Sequence, residues 1–242
     1  MRDYQSELRN RVQFIQDCLA SASAQGIVYG NSGGKDSALV GILCKLACEN
    51  TVGLIMPCRS KRNYLEDKGD AETVAEQFGI DVRTVDLEPS LNEVEQAARQ
   101  VTSPTNLALT NIAPRLRMTI LYAVAASENR LVAGTGNKSE GYMGYFTKWG
   151  DGAFDFNPIA DLTATEVIDF LRFFKAPKSI LDKAPSAGLF DGQTDEQEMG
   201  VTYQSIDAFL KGNPINEQDR LIIEKYHQSS EHKRRIPLVY GG

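Results

Sequence analysis

The chain has 242 residues, 42% hydrophobic and 24% charged, enough to bury a full core as one large globular domain or two small ones. With 26 Lys and Arg against 32 Asp and Glu, its formal charge is −6, the wrong balance for a general nucleic-acid binder. No apolar run approaches the ~18 residues of a membrane span, and Met1-Arg2-Asp3-Tyr4-Gln5-Ser6-Glu7 is too polar for a signal peptide, so the expectation is a cytoplasmic protein.

Leu8, Val12, Ile15 and Leu19 recur at helical spacing and predict an amphipathic helix over 3–22. Strand-like and helical runs then alternate: strand 26–29, helix 36–49, strand 51–56, helix 68–78, strand 82–86. Helical patterns follow over 91–101 and 114–126, with a strand at 130–133. This alternation predicts an α/β fold with a doubly wound, mostly parallel sheet and helices on both faces. Ligands of such sheets sit beyond the carboxyl ends of the strands, at the switch point. Residues 141–155 combine four glycines with five aromatics without a period and predict a functional loop. Thr163-Ala164-Thr165-Glu166 is a capping box opening a helix through Phe174. A polar stretch at 185–200 is expected to be mobile, and helices over 202–210 and 217–226 close the chain. The four cysteines, Cys18, Cys44, Cys48 and Cys58, form no C-x-x-C pair and predict neither zinc site nor disulfide framework.

The most informative stretch is Gly30-Asn31-Ser32-Gly33-Gly34-Lys35-Asp36-Ser37, between the first strand and the helix after it. Strand, small-residue loop and helix aim backbone N–H groups and a positive helix end at phosphate. A Walker A loop would have Ser or Thr after the lysine. Here Asp36 follows Lys35, placing a carboxylate where it could hold Mg²⁺. The plain alternative is an ordinary Gly/Ser turn.

The Ser-Gly-Gly-x-Asp-Ser core resembles the pyrophosphate loop of the ATP pyrophosphatase superfamily, which splits ATP between its α- and β-phosphates. Three further blocks resemble NAD synthetase in its ammonia-dependent form. The first is Arg115 to Tyr122. The second joins Gly134-Thr135-Gly136-Asn137-Lys138-Ser139-Glu140 to Gly144 through Gly152. The third runs from Pro185-Ser186-Ala187-Gly188-Leu189 through Gly192-Gln193-Thr194-Asp195-Glu196 to Glu231-His232-Lys233-Arg234-Arg235. The resemblance implies an adenine nucleotide alpha hydrolase-like fold, one domain over 1–242, and no fused glutaminase. It implies ATP contacts from Gly30, Asn31, Ser32, Gly33, Gly34, Lys35, Asp36, Ser37, Thr135 and Ser186, and Mg²⁺ held by Asp36 and Glu140. Arg115, Lys148, Asp155, His232 and Lys233 match positions that hold deamido-NAD. The activity implied is amidation of deamido-NAD by ammonia through an acyl-adenylate, giving NAD, AMP and pyrophosphate, in a homodimer. Ammonia could arrive free or from a separate glutaminase. Ala164 departs from the family, which usually has Lys there to contact ATP phosphate. Lys35 could supply that charge instead.

Ammonium must lose a proton before attack, and Asp151 is the expected base. Taken singly, each site residue has a duller reading: Glu140 as a helix-start carboxylate, Lys148 and Asp155 as loop charges, Arg115 as a salt-bridge partner, the basic end as a solvated tail. Two other functions compete, namely another adenylating pyrophosphatase (tRNA-modifying or GMP-forming) and a degenerate nucleotide sensor.

Overall fold

The computed structural model describes residues 2–58, 61–183 and 195–240, with backbone alone over 61–67. Helix α1 (Tyr4–Ala22) starts where the Asp3 side chain accepts from Gln5 N–H, and it leads into strand β1 (Gly26–Gly30). There follow α2 (Lys35–Ala47), β2 (Thr51–Ile55), α3 (Lys61–Phe78) and β3 (Asp81–Thr84). The crossover to β4 (Arg130–Ala133) runs through α4 (Glu88–Val101), α5 (Asn106–Thr110) and α6 (Ile112–Glu128). Beyond the sheet lie α7 (Lys138–Met143), α8 (Ala164–Phe173), α9 (Lys178–Asp182), α10 (Asp195–Met199), α11 (Tyr203–Leu210), α12 (Glu217–Ser229) and α13 (Glu231–Arg234).

The four strands are all parallel, in the order β3-β2-β1-β4. The chain steps outward from β1 to β2 and β3, then returns to the other side of β1 as β4. The switch point therefore lies between β1 and β4, where the phosphate-type loop begins. Side chains alternate along β1. Ile27 and Tyr29 join Leu39, Ile42 and Leu43 of α2, Ile15 of α1 and Phe170 of α8 on one face. Val28 joins Val52, Leu54, Val132 and Leu91 of α4 on the other, with Leu116 and Ile120 of α6 packed against them. Each such side chain, fully buried, contributes about 1.5–3 kcal/mol. Both faces are covered, so β1 and β2 read as continuous apolar runs rather than alternating ones.

Tyr29 is the largest fully buried side chain, and two glycines make its slot. A Cβ on Gly41 of α2 would lie 2.3 Å from the Tyr29 hydroxyl, and one on Gly53 of β2, paired with Tyr29 across the sheet, 2.9 Å from it. A third, smaller cluster of Met143, Met199, Val201, Tyr203, Ile206 and Ile223 joins α7, α10, α11 and α12.

The expected elements are present, with shifted ends. Helix α3 begins seven residues before the expected 68, because its first two turns are polar and carry no apolar period. Helix α2 stops at Ala47, two residues short of the expected 49, with Cys48 as its extended cap. The stretch 141–155 is not all loop, since α7 reaches Met143 before the turns begin. Of the expected mobile stretch at 185–200, residues 185–194 lie outside the described residues, and 195–199 form α10. No helix among the described residues is long and apolar enough to cross a membrane.

Candidate active site

The loop after β1 is built by its own side chains. Asn31 N–H donates to Leu54 O on β2 at 2.9 Å, and the Asn31 side-chain oxygen accepts from Gly33 N–H at 3.4 Å. Ser37 Oγ lies 3.1 Å from Ser32 Oγ and donates to Gly34 O at 3.0 Å, which folds the loop over the first turn of α2. Gly33 sits at φ +72°, a left-handed conformation that glycine adopts without a Cβ penalty. Gly34 is the N-cap of α2 and offers no side chain to the helix's leading N–H groups. Those donors and the positive end of α2 suit an anion.

A second helix start faces the first. Asn137 caps α7 in a reciprocal box, accepting from Glu140 N–H while the Glu140 carboxylate accepts from Asn137 N–H at 2.9 Å. The Asn137 amide nitrogen also donates to Asp36 Oδ1 at 3.1 Å, joining the openings of α2 and α7. Asp36 and Glu140 thereby converge, both half-buried. Burial pushes Asp36 up to about 6, with the Asn137 hydrogen bond working against the rise. Glu140 lies well above the usual carboxylate range, through burial first and the neighbouring Asp36 second. Among the described residues neither forms an ion pair. Two crowded carboxylates, with Lys35 only a minor counter-charge to Asp36, are a donor set that fits a hard divalent ion. Among the described residues no group of three or more metal-ligating side chains is set to hold a metal, so such an ion would complete its shell with water and phosphate oxygens.

Asp195, quoted above only as part of a motif, adds negative charge to this corner. It is buried and accepts from the hydroxyls of Tyr145 at 3.3 Å and Tyr203 at 3.2 Å. Thr135 follows β4 beside Asn137, half-buried. Lys35 opens α2, and burial lowers its pKa, with Arg172 of α8 and Asp182 of α9 among its charged neighbours. Ala164 donates its N–H to Ser139 Oγ at 3.2 Å, and Thr165 N–H donates to buried Asp207 at 2.8 Å, so Asp207 closes the start of α8. Ser186 lies outside the described residues. Lys183, which no sequence motif singled out, donates to Gly33 O at 3.0 Å and pairs with Asp70 of α3 at 2.8 Å.

The chain's end folds back over the loop after α7. Lys148 Nζ donates to His232 O at 2.7 Å, and Arg115 of α6 reaches Lys148 O at 3.3 Å. Lys233 Nζ donates to Gly144 O and Phe146 O, each at 2.8 Å, and Arg234 reaches Tyr142 O at 3.2 Å. Arg115, Lys148, His232 and Lys233 are thus one cluster, and the solvated-tail reading is corrected for Lys233 and Arg234. Asp151 accepts from Thr147 N–H at 2.9 Å, near Lys233 and Arg117. Its surroundings are dense enough to raise its carboxyl above the ordinary aspartate range, although its outer face stays exposed. Asp155 stands apart from the cluster on the outer edge of β4. One of its oxygens accepts from Val132 N–H at 2.7 Å and the other from the Tyr122 hydroxyl at 3.2 Å.

Comparison with known proteins gives a consistent picture. The family profile described as NAD synthase matches residues 7–237. The NH(3)-dependent NAD(+) synthetase of Carboxydothermus hydrogenoformans is 43% identical over 240 residues, covering 98% of each chain. Among solved structures, an NMN synthetase from Francisella tularensis superposes with a TM-score of 0.94 at 38% identity, covering 100% of both chains. An NH3-dependent NAD synthetase from Campylobacter jejuni, solved in complex with the nitrate ion, superposes at 0.80 and 30%, covering 99% of both.

Proposed function

The chain belongs to the NAD synthase family of ligases, and from that premise we propose that it amidates deamido-NAD with ammonia through an acyl-adenylate. The observation that carries this reading is the meeting of Asp36 and Glu140 beside the phosphate-type loop, joined through Asn137. A carboxylate oxygen of the nicotinate attacks the α-phosphorus of ATP, forming the acyl-adenylate and releasing pyrophosphate. Ammonia then attacks the acyl carbon, and the acyl–oxygen bond breaks to release AMP. Net, ATP, acid and ammonia give amide, AMP, pyrophosphate and one proton.

The chain's residues position and neutralise. The loop over residues 30–37 receives the phosphates on its backbone N–H groups, with the Ser32 and Ser37 hydroxyls beside them. Thr135 and Ser186 complete the ATP contacts. Mg²⁺, held by Asp36 and Glu140, supplies charge neutralisation of the phosphate oxygens when bound. Asp151, its affinity for a proton raised at the end of the loop that carries Lys148, takes the proton from ammonium. Arg115, Lys148, His232 and Lys233 hold the pyridine nucleotide, and Asp155 makes a polar contact to it. Val94, Val101 and Leu107 of α4 and α5 are 41%, 84% and 72% exposed, which supports a homodimer that covers them and brings Arg115 to the partner's site. Light scattering that finds a fully active monomer would remove that shared site.

A second reading is favoured by the 0.94 superposition on the NMN synthetase: the same chemistry on nicotinate mononucleotide, a ligand lacking the AMP half. ATP–pyrophosphate exchange decides between the two. Exchange driven by deamido-NAD, with AMP and pyrophosphate formed in equal amounts, supports the first. Exchange driven by nicotinate mononucleotide alone replaces it with the second, and ADP formation would sink both. Asp36→Asn and Glu140→Gln should abolish exchange while leaving the circular dichroism unchanged. Near-normal turnover in both would remove the metal roles.

A further inference from the structure

The Gly33–Gly34 peptide joins two adjacent glycines of the phosphate-type loop. Gly33 populates positive and negative φ with equal ease, and Gly34 has no Cβ either, so this peptide can flip. In one orientation its N–H faces the side where a phosphate would bind. In the flipped one its carbonyl does, and that oxygen repels an anion. Orientation of this single peptide therefore decides whether the loop attracts or rejects the triphosphate.

One side chain selects between the two. Lys183 caps the end of α9 and reaches Gly33 O at 3.0 Å. Its ammonium is held from the other side by Asp70 Oδ2 of α3 at 2.8 Å, in a pair whose side chains are 25% and 17% exposed. In a trans peptide N–H and C=O point in opposite directions, so a carbonyl fixed on Lys183 turns the Gly34 N–H the other way. That N–H makes only a long 3.3 Å bond to Ser32 Oγ, one that a phosphate oxygen can replace. A cation on the carbonyl also polarises the peptide and strengthens its N–H as a donor. Flipping would leave the ammonium without the carbonyl.

We propose that Lys183, steadied by Asp70, is a positioning residue that locks the Gly33–Gly34 peptide in its phosphate-accepting orientation. The inference rests on the reading of this loop as the ATP site. Lys183 acts through the backbone, whether or not it also touches the ligand.

The test is calorimetric binding of α,β-methylene-ATP with Mg²⁺ to the full chain, alongside steady-state kinetics. Lys183→Met should weaken the analogue roughly tenfold, the scale of a lost hydrogen bond to a charged group, and raise KM for ATP accordingly. The KM for the pyridine acid should stay within twofold. Lys183→Arg, which keeps the charge and a donor, should recover most of the loss. Asp70→Asn should weaken binding a few-fold, and the double variant should be no worse than Lys183→Met, because both changes act through one contact. Thermal melts accompany each variant; should Lys183→Met fail to fold, Lys183→Arg and Asp70→Asn carry the test. Unchanged analogue affinity in the folded variants, or additive losses in the double variant, overturns the proposal. Failure of the wild-type protein to bind the analogue overturns the ATP reading itself.

Discussion

Gly144→Ala tests whether the chain's end must stay seated over the site. Gly144 ends α7 at φ +65°, and a Cβ there would lie 2.1 Å from both Cβ and Oγ of Ser230. A left-handed alanine costs about 1–2 kcal/mol. The clash adds about 1–3 kcal/mol, because Ser230 is buried and cannot swing aside. Its hydroxyl bonds Tyr226 O at 2.6 Å and accepts from Arg234 at 2.7 Å. The total of about 2–5 kcal/mol has one cheaper escape, the release of α13 with Lys233 and Arg234 from the loop carbonyls. Either a large loss of global stability or local detachment follows, and detachment weakens the pyridine nucleotide more than ATP. The control is Gly141→Ala, three residues earlier in the same helix, where a Cβ meets nothing within 4 Å. Helix propensity makes that change neutral or stabilising by up to about 1 kcal/mol. Urea denaturation with both KM values separates the cases. If Gly144→Ala were as benign as Gly141→Ala in stability and in both KM values, the seating of the tail would carry no weight.

Three further outcomes are expected. Tyr29→Phe should leave stability unchanged or raise it by about 1 kcal/mol, since the buried hydroxyl has no partner among the described residues; a loss above about 2 kcal/mol in urea would reveal a hidden one. Hydrogen bonds from Arg83 and then Arg130 pull Glu128 down to about 2. A depressed carboxyl stabilises the fold above its unfolded pKa of ~4.5 and loses that contribution as pH falls toward 2. With a third of the side chain exposed, Glu128→Gln should cost under about 1 kcal/mol at pH 7, and the difference should vanish in acid; a constant difference down to pH 2 would refute the linkage. Lys148→Ala and Lys233→Ala should weaken the pyridine nucleotide far more than ATP in exchange assays, and equal losses would remove them from that pocket.

The sheet was legible because its strands are short apolar runs set between helical periods. The strand at 130–133 matches its expected bounds residue for residue. The start of α7 has a signal in the sequence too, since Asn137 and Glu140 have the spacing of a capping box, although glycines follow it closely. Polar turns such as the opening of α3 carry no period and stay invisible. The first loop announced its chemistry through its own residues. Lys183 and Asp195 could not do so, because their roles come from proximity across the fold: Lys183 meets Gly33 150 positions away, and Asp195 meets Tyr145 50 away. Asp155 is the reverse case. The resemblance matches it to the substrate, and the structure also gives its carboxylate two protein partners at the sheet's edge.

That edge has a consequence for how the protein behaves in crowded solution. A terminal parallel strand offers every second N–H and C=O to any passing chain, which makes it a template for intermolecular pairing. On β4 those groups are answered from within. Val132 N–H meets the Asp155 carboxylate, Val132 O accepts from Asp155 N–H at 2.9 Å, and Gly134 N–H donates to Phe156 O at 2.8 Å. The opposite edge, β3, is four residues long and carries Asp81 and Arg83. Sheet growth is thus blocked on one side by a carboxylate posing as a strand and discouraged on the other by charge and brevity. An Asp155 variant that lost activity would also have an unguarded edge, so its colloidal state must be measured before its affinity is interpreted.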